Sequence, residues 1–153
     1  MSLRVWLPLL NDTKNYGLDS IELIDRGSTL ITNDGIPGQC HYLNGKTLSY
    51  SGFTSLESTD EFSACCWIKF KEFPNDGSNA YCICLNNSSS SVYKFVLGVY
   101  SSDGVTATFR LNLTNATGTL ELNTWYHLAI CVSGTTGYMY INGELVKTVS
   151  KIT

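Results

Sequence analysis

The sequence predicts an all-β fold, an antiparallel two-sheet β-sandwich, and three observations predict it. No helical period runs longer than two turns, while short runs rich in β-branched and aromatic residues recur along the chain. Clusters of Gly, Asn, Asp and Ser separate those runs, at "NDGIPG" (33–38), "PNDGSN" (74–79), "NNSSSS" (86–91), "SSDG" (101–104) and "SGTTG" (133–137). Composition is globular: 43% of the residues are hydrophobic and only 15% charged. At 153 residues the chain suits one domain over 1–153, large enough to bury a core.

The strands are expected, in order, at "RVWLPLL" (4–10), "IELI" (21–24), "QCHYL" (39–43), "TLSYS" (47–51), "EFSACCWIKF" (61–70) and "AYCICLN" (80–86). They continue at "SVYKFVLGVYS" (91–101), "TATFRLNLT" (106–114), "WYHLAICVS" (125–133), "GYMYI" (137–141) and "ELVKTVS" (144–150). "STDEF" offers a cap for a single helical turn before the long strand at 61. No internal repeat is present, and "NNSSSS" reads as an exposed hairpin loop.

The region 125–150 reads as a three-stranded meander. In "WYHLAICV" Tyr126, Leu128, Ile130 and Val132 share one face, and His127, Ala129 and Cys131 share the other. "SGTTG" reverses the chain. Tyr138 and Tyr140 then take one face of "GYMYI", with Met139 and Ile141 on the other. Asn142–Gly143 suits a two-residue type I′ turn, since both residues tolerate positive φ. One face is aliphatic and belongs to the core; the other carries His127, Tyr138 and Tyr140. Trp125 is expected in the core. In "TATFRLNLT" Ala107, Phe109, Leu111 and Leu113 point inward, and Thr108, Arg110 and Asn112 point outward. If this strand neighbours the meander, Arg110, Asn112, His127, Tyr138 and Tyr140 gather on one polar-aromatic face.

The formal net charge is −3 with no basic run, which excludes nucleic acid as an expected partner. "MSLRVWLPLL" has a short apolar run and no small-residue cleavage site. It reads as a first strand, not a signal peptide, and is too short to cross a bilayer, so no membrane insertion is expected. The six cysteines are Cys40, Cys65, Cys66, Cys82, Cys84 and Cys131. Most lie inside apolar strand-like runs, where free Cys behaves as a small hydrophobe, so free thiols are expected. Cys65 and Cys66 fall on opposite strand faces, where a vicinal disulfide is strained.

Two segments carry a family resemblance. "FSACCWIKF" resembles the central strand of laminin-G-like/pentraxin jelly rolls, within the concanavalin-A-like lectin and glucanase fold, with Trp67 and Lys69 at matching positions. "NTWYHLAICVSGTTGYMYINGELV" is similar to the family's Trp-x-His … Tyr-x-Asn-Gly signature through Trp125, His127, Tyr140, Asn142 and Gly143. "DGIPGQCHYLNG" resembles the family's upstream Gly-x-x-Gly segment. The opening "MSLRVWLPLLNDTKNYGLDSIEL" resembles such domains in structural proteins of phages of gut bacteria and of prophages in Firmicutes. The resemblance implies a concanavalin-A-like jelly roll. Family members commonly run on past the "NGELV" strand, where this sequence stops at Thr153, so "RVWLPLL" is expected to pair with 144–150 or with a partner chain.

The family includes glucanases, calcium-dependent adhesion modules and lectins, and each use implies residues. Glucanases carry catalytic carboxylates on one face of one strand. This chain has no such run, and Glu22 and Asp25 in "IELIDRG" fall on opposite faces, so no enzyme is expected. Calcium needs several oxygen ligands, usually including carboxylates. Where relatives often have Phe-Asp-Gly the chain reads Leu43-Asn44-Gly45. Calcium candidates are thus confined to Asp34, Asp76 and Asp103, each of which also has an ordinary turn-forming role. No other cofactor is expected. The expectation is a non-catalytic carbohydrate- or receptor-binding module, using Tyr138, Tyr140, His127, Arg110 and Asn112. It would sit on the surface of a virion made in the bacterial cytoplasm and meet a glycan or host-surface receptor. The alternative is a capsid or tail decoration domain, contacting other virion proteins or forming a homo-oligomer.

Overall fold

The computed structural model describes residues 24–31, 34–35, 40–43, 48–49, 61–86, 93–111, 114–116 and 118–150. Among these there is no helix, and all regular structure is antiparallel β. The chain divides into two compact units, Met1–Phe53 and Thr54–Thr153. In the first, β1 (Ile24–Asp25) pairs with β4 (Leu48–Ser49), and β2 (Thr29–Ile31) pairs with β3 (Cys40–Tyr42). The strand expected at 4–10, with its pairing to 144–150, lies outside the described residues. So do residues 58–60 of the expected cap, and Glu61 and Phe62 after them are already strand.

The second unit holds two sheets. One has the order β13-β12-β11-β5, from β5 (Glu61–Lys69), β11 (Trp125–Ser133), β12 (Thr136–Ile141) and β13 (Glu144–Ser150). The other runs β10-β8-β7-β6, from β6 (Asn79–Asn86), β7 (Tyr93–Tyr100), β8 (Thr106–Leu111) and β10 (Leu120–Glu121), with β9 (Thr114–Asn115) also paired to β8. The single strand expected over 106–114 is therefore broken: Leu111 and Thr114 are register partners, so the chain has already reversed between them.

Period-2 alternation builds the core between these sheets. Phe62 of β5, Leu128, Ile130 and Val132 of β11, and Met139 of β12 meet Leu97 and Val99 of β7, Ala107, Phe109 and Leu111 of β8, and Leu120 of β10 in one buried cluster. Burying a side chain such as Leu128 or Phe109 is worth about 1.5–3 kcal/mol. Tyr126 packs against this core, and its hydroxyl accepts the backbone N–H of Glu121 at 3.0 Å. Cys66 and Cys82 also pack against it. Burial first, then the neighbouring Cys65, pushes the Cys66 thiol up to about 12, and burial likewise raises Cys82. Cys65, Cys66, Cys82 and Cys131 are free thiols, the core ones inert as buried thiols are.

The expected meander forms as β11-β12-β13. Gly134 at φ 57° opens its first turn. The second is Asn142 at φ 52° and Gly143 at φ 87°, the doubly positive pattern of a type I′ turn.

Candidate functional site

The outer face of the β13-β12-β11-β5 sheet follows from register. Residues opposite one another across paired strands share a face, so the inward set Leu128, Ile130 and Val132 forces its odd-numbered neighbours out. The rows on this outer face read Thr148–Tyr138–Cys131–Ser63, then Leu145–Tyr140–Ala129–Cys65, then His127–Trp67, then Trp125–Lys69. Successive rows lie about 7 Å apart and neighbouring strands about 4.8 Å.

Side-chain size turns this grid into a shape. Ser63, Cys65, Ala129 and Cys131 are small and form a floor on β5 and β11, where the Ser63 hydroxyl donates to Cys131 Sγ at 3.3 Å. Tyr138 and Tyr140 stand along one side on β12. Trp67 and His127 close one end, their ring centroids 5.2 Å apart and tilted by 54°. Trp67 is 52% exposed, far more than an indole needs for packing alone. Beyond it Lys69 Nζ lies 5.3 Å from the Trp125 ring centroid, a cation–π contact.

His127 is oriented by the turn it faces. Asn142 N–H donates to the His127 carbonyl at 2.8 Å, and the Asn142 side-chain Oδ1 accepts the His127 N–H at 2.9 Å. The positive φ of Asn142 belongs to the turn, and its amide side chain takes over as acceptor for the strand. The signature's Asn142 thus has a structural job: it closes the β11–β12 ladder beside the His127 ring.

Two expectations are corrected here. Arg110 does not join this face, because the neighbour of β11 is β5, and β8 lies in the other sheet. Arg110 points outward there, with Nη1 donating to Asn79 Oδ1 at 2.7 Å and the guanidinium 4.8 Å from the Tyr100 ring centroid. Asn112 lies outside the described residues. Trp125 is not a core residue: its register partner is Lys69, and it shares parity with His127 rather than with Leu128. Trp67 was not singled out as a site residue. The signal for it was present, because alternation in "FSACCWIKF" puts Trp67 with Ser63 and Lys69, opposite Phe62, Ala64 and Ile68.

Two of the acidic candidates, Asp103 and Asp76, act within their own loops. Asp103 Oδ1 accepts the backbone N–H groups of Val105 and Thr106 at 2.9 Å each and the Ser101 hydroxyl at 3.2 Å, while Oδ2 accepts the Thr106 hydroxyl at 3.0 Å. These bonds, led by the Thr106 and Val105 amides, hold its carboxyl at about 2. Asp76 Oδ1 accepts Ser78 N–H at 3.0 Å, and bonds from Ser78 lower its pKa. The two loops adjoin where Gly104, at φ 72°, lies against Asn75. Asp34 belongs to the first unit, is half-buried and has an interaction of its own. No group of three or more His, Cys, Asp or Glu suited to a metal occurs among the described residues. No described strand carries two carboxylates: Asp25, Glu61, Glu121 and Glu144 lie on four different strands.

Searches among curated proteins and among solved structures return no match. A laminin-G-type family model, described as the concanavalin A-like lectin/glucanases superfamily, matches residues 44–153, which include every strand of the second unit. That description agrees with the two antiparallel sheets around one core, and places the chain among domains of a carbohydrate-binding type. The chain belongs to the concanavalin A-like lectin/glucanases superfamily.

Proposed function

We propose that the chain is a non-catalytic carbohydrate-binding module and that it binds glycan on the outer face of the β13-β12-β11-β5 sheet. The observation that carries this reading is the tray built there: a floor of Ser63, Cys65, Ala129 and Cys131, with Tyr138 and Tyr140 along one side and the half-exposed Trp67 against His127 at one end. Aromatic rings offer apolar faces to the C–H face of a sugar, and tyrosine hydroxyls and the imidazole supply hydrogen bonds at its rim. The absence of a second carboxylate on any described strand supports binding without hydrolysis. The resemblance of the opening segment to phage and prophage structural proteins supports display on a virion, where the module would hold the particle to glycans or receptors of the host surface.

A glycan array probed with the purified protein tests this reading. Binding to a defined set of glycans is expected, with loss of signal in Trp67→Ala, Tyr138→Ala and Tyr140→Ala. No binding at millimolar glycan, or binding indifferent to all three changes, rules it out.

A second reading, decoration of a capsid or tail through protein–protein contacts, is favoured by Leu145. This aliphatic side chain is 54% exposed beside Tyr140, and a sugar-binding rim does not require it. Co-sedimentation with particles after removal of their surface glycans separates the two readings.

A further inference from the structure

The other sheet has an outer face of different chemistry. One ladder row crosses three strands as Tyr81–Gly98–Arg110 and continues to Asn115, and the adjoining row is Asn79–Tyr100–Thr108. Gly98 has no side chain because there is no room for one: a Cβ there would lie 2.5 Å from the Ala80 carbonyl oxygen and 3.3 Å from Tyr81 Cδ1. Tyr81 therefore leans over the bare backbone of β7 and is still 54% exposed. The Arg110 backbone stands on the far side of Gly98, and its side chain reaches back across β7 to Asn79 of β6, 2.7 Å from Nη1 to Oδ1.

Arg110 is held but not neutralised. Tyr100 contacts its guanidinium by a cation–π interaction, and Nη1 is taken by the neutral amide oxygen of Asn79. Nε is buried with no hydrogen-bond partner, the one such side-chain atom among the described residues. Nη2 has neither a partner nor full burial. No carboxylate on a described residue pairs with this cation; Glu121, the acid of this sheet, sits opposite Thr106, four residues away along β8. A fixed guanidinium with no counter-ion among the described residues, beside an exposed phenol ring, combines two recognition elements: a charge-assisted donor for a carboxylate and a surface for a sugar ring.

We infer that this face is a second binding site, for a carboxylate-bearing sugar residue such as a hexuronate, with the sugar on Tyr81 and its carboxylate at Arg110. Tyr100 and Asn79 act as positioning residues that fix the guanidinium. The occupant is a uronate because this face offers both a held cation and an exposed aromatic surface. An acidic peptide would use the cation and leave the ring idle.

The test is isothermal titration calorimetry of the whole chain with a galacturonate oligomer. Its methyl ester and a glutamate oligomer serve as comparison probes, each titrated at low and at high salt. The uronate is expected to bind, and salt is expected to weaken it. The methyl ester is expected to bind about tenfold or more weakly, as loss of one charge-assisted hydrogen bond implies. Arg110→Gln and Tyr81→Ala are each expected to lose uronate binding by a similar factor, while Trp67→Ala leaves it unchanged. Thermal melts confirm folding, and Tyr81→Ala with the ester comparison decides the matter if Arg110→Gln does not fold. No uronate binding, equal binding of the ester, equal binding of the glutamate oligomer, or indifference to both changes would overturn the inference. Loss in Trp67→Ala alone would return the uronate to the β13-β12-β11-β5 tray.

Discussion

The two sheets of the second unit share one core and differ in how their outer faces are furnished. On the β13-β12-β11-β5 sheet β11 and β5 carry small residues, Ala129 and Cys131 beside Ser63 and Cys65, with the tyrosines of β12 along one side and Trp67 and His127 at one end. On the β10-β8-β7-β6 sheet the middle is Gly98, and its neighbours Tyr81 and Arg110 flank bare backbone. Small residues at a sheet centre have two physical causes. They can leave space for a ligand, or they can be imposed because a neighbour already fills the space. Gly98 is of the second kind, since the Ala80 carbonyl and Tyr81 fill its Cβ position. Each face also carries a cation on an aromatic ring: Lys69 lies against Trp125 on one, and Arg110 against Tyr100 and Asn79 on the other.

The largest effects belong to what the faces share. Phe109→Ala and Leu128→Ala each remove a fully buried side chain from the common core and are expected to cost about 3–5 kcal/mol by urea denaturation. Equal losses from the two sheets would show that they fold as one unit. The difference between sheet centres comes next. Gly98→Ala drives a methyl into backbone and is expected to cost about 1–3 kcal/mol, whereas Cys65→Ala on the opposite face should change stability by less than about 0.5 kcal/mol. A harmless Gly98→Ala would mean the space over β7 is open after all.

Asn142→Ala is expected to cost about 1–2 kcal/mol, because it removes the acceptor of the His127 N–H and puts Ala at positive φ. Asn142→Gly, which keeps the turn and loses only the bond, should cost less. The smallest effect concerns the loop before β8. The Asp103 carboxyl is held at about 2 against an ordinary 3.8, so its contribution is fully present above pH 3.8 and fades as pH falls toward 2. Asp103→Ala is then less stable than the unmodified chain at pH 7. Thermal melts should show that gap closing between pH 4 and pH 2.

Much of this was legible in the residues. Alternation placed Leu128, Ile130, Val132, Met139, Ala107, Phe109 and Leu111 inside, and it placed His127, Tyr138, Tyr140 and Arg110 outside. Asn142–Gly143 announced its turn, because few other pairs accept two positive φ values. Alternation says which side of a strand a residue takes, but not which strand lies next to it. That is why Arg110 could be read as outward and still be assigned to the wrong sheet: the pairing of β11 with β5 spans more than fifty residues and leaves no local trace. Trp125 was misread for another reason. Its apolar area suggested burial, while its parity with His127 pointed outward, and parity prevailed at the strand's end, where Lys69 covers the ring. The packing of Tyr81 over Gly98 is a three-dimensional fit that no spacing in the sequence records.

The central claim is that glycan binds on the tray of the β13-β12-β11-β5 sheet, and amide and indole NMR shifts recorded during a titration with a glycan identified on the array test it most directly. The account predicts that shifts concentrate at Trp67, His127, Ala129, Cys131, Tyr138 and Tyr140, with the neighbours of Gly98 unmoved by a neutral glycan. Shifts confined to the turns at 74–78 and 101–105, or spread evenly over both sheets, would contradict it.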